Sequence, residues 1–231
     1  MLTLAVDTTS PSGSAAILSG AKVLAEANLE ARSDHSVRLL ASIHFLLETC
    51  GLDIAQVEGY SLAVGPGSFT GIRVGMSTVK ALAFASKRPV AAVSSLQALA
   101  LKLVQPQVRL LCPISDAKKG EVYAALFEWP DTGERLKELV PPGAYKPDEF
   151  LAQLPGHRVM AFIGTGAELY KEKILTYVRD KARFSSRSLF IAAEVGLLGQ
   201  DLLARDQGLG GGDLRPLYLR RSQAEDKDSH A

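Results

Sequence analysis

The chain has 231 residues, enough for one large or two small domains with a substantial core. Hydrophobic residues make up 47% and charged residues 22%, an ordinary globular balance, and a formal net charge of +1 excludes global steering toward nucleic acid or anionic membranes. Cys50 and Cys112 make no disulfide framework, no basic segment leads the first apolar run, and the long apolar runs are interrupted by Ser, Gln or Lys, so a cytoplasmic protein without membrane association is expected.

Leu2–Val6 predicts a buried strand ending at Asp7-Thr8-Thr9. Ser14–Leu18 and Lys22–Leu29 predict two more, turning at Ser19-Gly20. A helix follows from Ser36 to Cys50, capped by Ser33 or Asp34 and stopped by Gly51. Its wheel carries two apolar stripes. Leu39, Leu40, Ile43, Leu46, Leu47 and Cys50 form one; Val37, Ala41 and Phe45 form the other, with His44 beside them. Packing on one sheet face needs a single stripe. The second stripe therefore needs a cover of its own.

Ser61–Val64 predicts a strand, and Gly65-Pro66-Gly67-Ser68-Phe69-Thr70-Gly71-Ile72-Arg73-Val74-Gly75 turns it into a helix reaching about Lys87. Pro66 suits the turn, Gly67 suits a positive φ after it, and Ser68 or Thr70 can cap the helix. Such a helix start can hold a phosphate, although many strand-to-helix turns bind nothing. Along the helix Gly71, Gly75, Thr78, Ala81, Leu82 and Ala85 share a small-residue face, and Ile72, Met76, Val79 and Ala83 a second apolar one. Two readings remain open: a wholly buried crossover helix, or one whose small-residue face meets a partner.

Pro89–Val93 predicts a strand and Ser95–Val104 a helix, with a break at Pro106. The pattern then restarts. Val108–Ile114 is a strand leading to Ser115-Asp116, and Glu121–Glu128 and Glu134–Val140 are two more around the Asp131-Thr132-Gly133 turn. Pro147–Leu154 is a helix, Val159–Ile163 a strand, and Ala167–Val178 a helix behind Gly164-Thr165-Gly166. A last helix covers Ser188–Ala204. The order βββαβα thus occurs twice, each time with an Asp after the first strand. This describes an α/β protein of duplicated halves, the actin/sugar-kinase/chaperone-ATPase (ASKHA) architecture, with lobes at 1–105 and 106–221 and a disordered tail at 222–231. Three strands before the first helix fit a Rossmann-like sheet poorly. In the duplicated fold Asp7 and Asp116 would face each other across a cleft that holds nucleotide phosphates and Mg²⁺.

The motifs Leu4-Ala5-Val6-Asp7-Thr8, Gly65–Gly75, Asp116-Ala117-Lys118-Lys119-Gly120-Glu121-Val122-Tyr123 and Pro216-Leu217-Tyr218-Leu219-Arg220 together resemble the TsaB (YeaZ) family of the bacterial tRNA threonylcarbamoyladenosine machinery. Lys118 departs from the Arg more common there, keeping the charge but losing the planar fork. The resemblance implies a non-catalytic subunit that binds and stabilises the catalytic subunit TsaD through helices of the N-terminal lobe and helps recruit the ATPase TsaE. It also implies homodimerisation when alone, and contact with tRNA through the complex. The partner surface would comprise Val37, Ala41, His44, Phe45, Gly71, Gly75 and Thr78. No tightly bound cofactor or metal is implied; ATP or ADP with Mg²⁺ would bind weakly around Asp7, Thr8, Thr9, Asp116, Gly164 and Gly166. TsaD-type subunits carry a His-x-x-x-His metal pair, whose positions fall here on Ser95 and Leu99. His35, His44, His157 and His230 offer no substitute spacing. The alternative is an ATP-dependent transferase in its own right, using Asp7 and Asp116. Arg215, Arg220 and Arg221 form a small basic cluster with two readings, a tRNA contact or, favoured, a solvated or partner-facing end.

Overall fold

The computed structural model describes residues 1–29, 35–130 and 135–220, with the side chains of 35–37 outside the described set. Val37, the Ser33/Asp34 cap, Arg221 and the 222–231 tail therefore lie outside the described side chains. Two compact units are present. One contains Met1–Ala98 with Phe190–Tyr218; the other contains Leu99–Leu189 with Leu219 and Arg220.

The first unit opens with β1 (Leu2–Asp7), β2 (Gly13–Ser19) and β3 (Lys22–Leu29). Then come α1 (His35–Thr49), β4 (Gly59–Gly65), α2 (Phe69–Ser86), β5 (Val90–Ser94) and α3 (Ser95–Leu101). The sheet order is β3-β2-β1-β4-β5, antiparallel through β1, β2 and β3 and parallel from β1 through β4 to β5. Leu4, Val6, Ile17, Tyr60 and Leu62 form one buried core with Leu39, Ile43, Leu46 and Leu47 of α1 and Ile72, Met76 and Val79 of α2. β1, β2 and β4 are buried along nearly their whole length, which explains why they are predominantly apolar on both faces.

The second unit repeats the plan with β6 (Leu110–Lys118), β7 (Glu121–Glu128), β8 (Lys137–Tyr145), α4 (Pro147–Leu151), β9 (Met160–Ile163), α5 (Thr165–Leu169), α6 (Lys171–Val178) and β10 (Ala182–Phe184). Its order, β10-β9-β6-β7-β8, has the same pairing directions as the first sheet. The duplicated fold expected from the sequence is present. Several boundaries differ. The strand expected from Glu134 runs instead from Lys137 through Pro141 and Pro142, tolerable because β8 is an edge strand. The helix expected over Ala167–Val178 is two, broken at Tyr170. The short edge strand β10 lacked a signal of its own.

The last helix, α7 (Ala192–Leu203), departs from the expected lobe assignment. It packs on the first sheet, where the Cβ position of Gly196 falls 2.2 Å from Leu18 Cδ1 and that of Gly199 falls 2.0 Å from Ser61 Oγ. Gln200 Nε2 donates to Thr3 Oγ1 at 3.1 Å and Ala192 N to Ser14 Oγ at 3.1 Å. A face carrying Thr3, Ser14 and Ser61 needs a small, polar-tolerant cover, and α7 supplies one. No described helix is long and apolar enough to cross a membrane.

Candidate functional site

Asp7 closes β1 with its side chain almost fully buried. Its Oδ1 accepts from Thr9 N at 2.8 Å and from Thr9 Oγ1 at 2.7 Å. Burial pushes the carboxyl up to about 6 against the pull of these two bonds. Thr8 Oγ1 donates to the carbonyl of Gly71 at 2.8 Å, and Ser68 N donates to the carbonyl of Thr9 at 2.6 Å. The β1–β2 loop and the α2 turn are thus tied to each other.

That tie explains the glycines. A Cβ on Gly67 would stand 2.1 Å from the Thr9 carbonyl oxygen, one on Gly71 2.0 Å from that of Thr8, and one on Gly75 2.3 Å from Thr8 Oγ1. The positive φ expected at Gly67 belongs to Gly65, at 119°. Ser68 is the cap, accepting from Gly71 N at 3.2 Å. The close approach that Gly71 and Gly75 permit is therefore made by the chain's own β1–β2 loop. This corrects the expectation that both glycines lie on a partner-facing surface, since both are buried. The Thr9 carbonyl also takes Ser68 N, one of the N–H groups that this turn could have offered to a phosphate.

The second unit repeats the device. Gly164, at φ 111°, follows β9, and its Cβ would meet the Ile114 carbonyl oxygen at 2.3 Å; that of Gly166 would meet Ile114 Cγ2 at 2.8 Å. Asp116 lies within β6 rather than beyond it, paired with Val122. Its backbone N donates to Thr165 Oγ1 at 3.0 Å. Lys118 Nζ donates to Asp116 Oδ2 at 2.7 Å and Lys118 N to Oδ1 at 2.8 Å. Partial burial works to raise this carboxyl, but the Lys118 hydrogen bonds and charge outweigh it and hold it below 3.8. Asp7, Thr8 and Thr9 are thus brought together with Gly67, Gly71 and Gly75, and Asp116 with Thr165, Gly164 and Gly166, each group within its own unit. Each carboxylate already has partners within its own unit: Asp7 Oδ1 accepts from Thr9 N and Thr9 Oγ1, and Asp116 is paired with Lys118.

The positions of the His pair are otherwise employed. Ser95 is buried and donates through Oγ to the Pro66 carbonyl at 2.6 Å, while Leu99 is buried in the core. Among the described residues no group of three or more His, Cys, Asp or Glu could hold a metal ion. Cys112 is buried in β6, where desolvation pushes its thiol well above its ordinary value, as befits a packing residue. Arg220 is spent within the second unit, on Glu121 Oε2 at 3.1 Å and the Ala117 carbonyl at 3.0 Å. Arg215 donates to the carbonyls of Gly212 and Leu214.

The most exposed large apolar side chains of the first unit, Phe84 and Phe45, lie on α2 and α1, which pack side by side. Phe45 is 61% exposed, and Ala41 and His44 are exposed beside it. Leu40, expected in the core stripe, is instead 52% exposed. On α2, Thr78 is half-buried, Ala81 and Ala85 are exposed, and Phe84 is 85% exposed. Phe84 escaped sequence reasoning although it stands four residues after Lys80, on the narrow Arg73/Ser77/Lys80 polar strip itself, and an aromatic ring on that strip was the signal that could have found it.

Two five-stranded sheets built on one pairing plan, each with its first strand tied to a glycine-led helix start, define a protein of the ASKHA class. Component A of (R)-2-hydroxyglutaryl-CoA dehydratase from Acidaminococcus fermentans shares this fold at a TM-score of 0.53 and 12% identity, over 88% of this chain and 99% of that one. The TsaD family, described as tRNA N6-adenosine threonylcarbamoyltransferase, matches residues 26–225. The tRNA threonylcarbamoyladenosine biosynthesis protein TsaB of Bacillus subtilis is 31% identical over 98% of this chain and 97% of its own. YeaZ from Pseudomonas aeruginosa superposes with a TM-score of 0.80 at 27% identity, over 94% of this chain and 99% of that structure. The chain belongs to this family and, within it, to the TsaB branch.

Proposed function

We propose that this chain is the non-catalytic TsaB subunit of the complex that forms threonylcarbamoyladenosine at the tRNA adenine beside the anticodon. It binds and stabilises TsaD through the outward face of α1 and α2 and helps recruit TsaE. The observation that carries this reading is the uncovered face itself, with Ala41, His44 and Phe45 on one helix and Thr78, Ala81, Phe84 and Ala85 on the next. A patch with two protruding phenylalanines marks an interaction surface. Two helices from each partner would form a four-helix contact of about the standard 1,600 Å². The same face pairs two copies when TsaD is absent.

A non-catalytic role is supported by the residues at the metal-pair positions, a hydroxyl spent on Pro66 and a core leucine. A transferase built on Asp7 and Asp116 is disfavoured by the partners both carboxylates already have, Thr9 for the first and Lys118 for the second. ATP or ADP with Mg²⁺ is assigned only weak affinity here.

The test is size-exclusion chromatography of Phe45→Arg and Phe84→Asp variants mixed with TsaD, alongside thermal melts of each variant alone. Loss of the complex with an unchanged melt is expected, because neither ring contributes to the core. Complex formation undiminished in both variants would overturn the reading.

A further inference from the structure

At the N-terminal end of α2 stands a second, chemically different surface. The Arg73 guanidinium lies 3.8 Å above the centroid of the Phe69 ring. The Phe69 and Tyr218 rings are 5.1 Å apart with 30° between their planes, and Arg73 Nε donates to Tyr218 Oη at 3.4 Å. All three are exposed, Phe69 at 38% and Tyr218 at 41%. They are also held firmly. Phe69 and Arg73 ride on a capped 18-residue helix, and Tyr218 follows Leu217, whose N donates to the Val64 carbonyl at 2.8 Å, and the fully buried Leu214.

We propose that Phe69, Arg73 and Tyr218 form a stacking platform for an unpaired nucleobase of the tRNA substrate, a direct contact that rests on the tRNA-modifying role above. Unpaired bases are recognised by stacking on aromatic rings and guanidinium planes, with a cation to meet the adjacent phosphate. No Asp or Glu stands between Gly59 and Ala98 to repel that phosphate. Asp213 is the acid nearest Tyr218 in the chain. A protein anchor has a different form, a ring protruding alone to fill a partner's pocket. Phe84 and Phe45 have that form; this pair of neighbouring rings with a guanidinium over one of them does not.

The probe is a fluorescein-labelled anticodon stem-loop RNA of an ANN-decoding tRNA, read by anisotropy against the full chain, alone and in complex with TsaD. A blunt RNA duplex and AMP serve as competitors. The stem-loop should outcompete the duplex. Phe69→Leu and Tyr218→Leu should each weaken binding about fivefold to a hundredfold, the range for one lost base stack. Tyr218→Phe should restore it. Arg73→Lys should weaken binding while leaving the salt slope unchanged, since the cation remains and the flat face goes. Equal binding of stem-loop and duplex, indifference to all ring variants, or full displacement by AMP would overturn the proposal. So would loss of the TsaD complex in Tyr218→Leu with RNA binding intact, which would make the array a protein contact. Intact TsaD association with no RNA effect defeats only this inference and leaves the subunit reading standing.

Discussion

Asp7 shows how a single position can be maintained at a cost to the fold. Its folded pKa, about 6, lies above its ordinary 3.8, so the native state binds the proton more tightly than the unfolded chain. Stability from this group is then fully present below about pH 4 and is lost as pH rises toward 6. The rise corresponds to about 3 kcal/mol once the carboxyl is ionised. Asp7→Asn keeps an oxygen for Thr9 N and Thr9 Oγ1 without the charge. It is expected to melt near wild type at pH 4 and to be more stable by up to about 3 kcal/mol at pH 8. Calorimetry at the two pH values checks this; an Asn variant that is less stable at pH 8 would show that the carboxylate has a favourable partner in the native state. A buried acid whose removal stabilises is the signature of a residue kept for something other than packing. Sequence reasoning singled out Asp7 from its place after β1. The burial that raises its pKa is set by the folded unit, in which Asp7 pairs with Ser14 of β2 and is 1% exposed.

At the scale of elements, helix periodicity was legible and helix orientation was not. Both stripes of α1 were visible, because 3.6-residue spacing is a local property. Leu40 was grouped with Leu39, yet Leu39 is buried and Leu40 half exposed. A wheel shows which residues share a face; the neighbour decides where the face ends. Leu39→Ala should cost about 2–5 kcal/mol as a core truncation, and Leu40→Ala no more than about 0.5 kcal/mol. Urea unfolding of the two variants checks the contrast, and equal losses would place Leu40 in the core after all. In α2 the small-residue stripe was legible too, but not its partner. Gly71 and Gly75 face the β1–β2 loop at distances that leave no room for a Cβ. Ala81 and Ala85, further along the same stripe, remain exposed. One stripe thus serves the fold at one end and the surface at the other.

For the whole molecule, the chain path makes the first unit depend on a segment almost a hundred residues away from its sheet. Without Phe190–Tyr218 the first sheet would expose the face bearing Thr3, Ser61 and Leu18. A fragment 1–98 is therefore expected to give no cooperative melt. Joining 1–98 to 190–218 by a short flexible linker should restore one, because the unit then has its own complete core. Circular dichroism melts of the two constructions decide it, and a cooperative melt from 1–98 alone would show α7 to be dispensable.

The amino-acid sequence by itself determined the two-fold βββαβα order, the glycine-led helix starts and the apolar stripes. Each follows from backbone preference or side-chain periodicity within a dozen residues. Only the tertiary structure decided that α7 covers the first sheet, that the Thr9 carbonyl takes Ser68 N at the Gly65–Gly71 turn, and that Lys118 pairs with Asp116. It alone also gathered Phe69, Arg73 and Tyr218 into one array. These outcomes depend on contacts between residues far apart in the chain, or on which of several local partners a side chain finds once its strand is placed. Local preference carries no information about either.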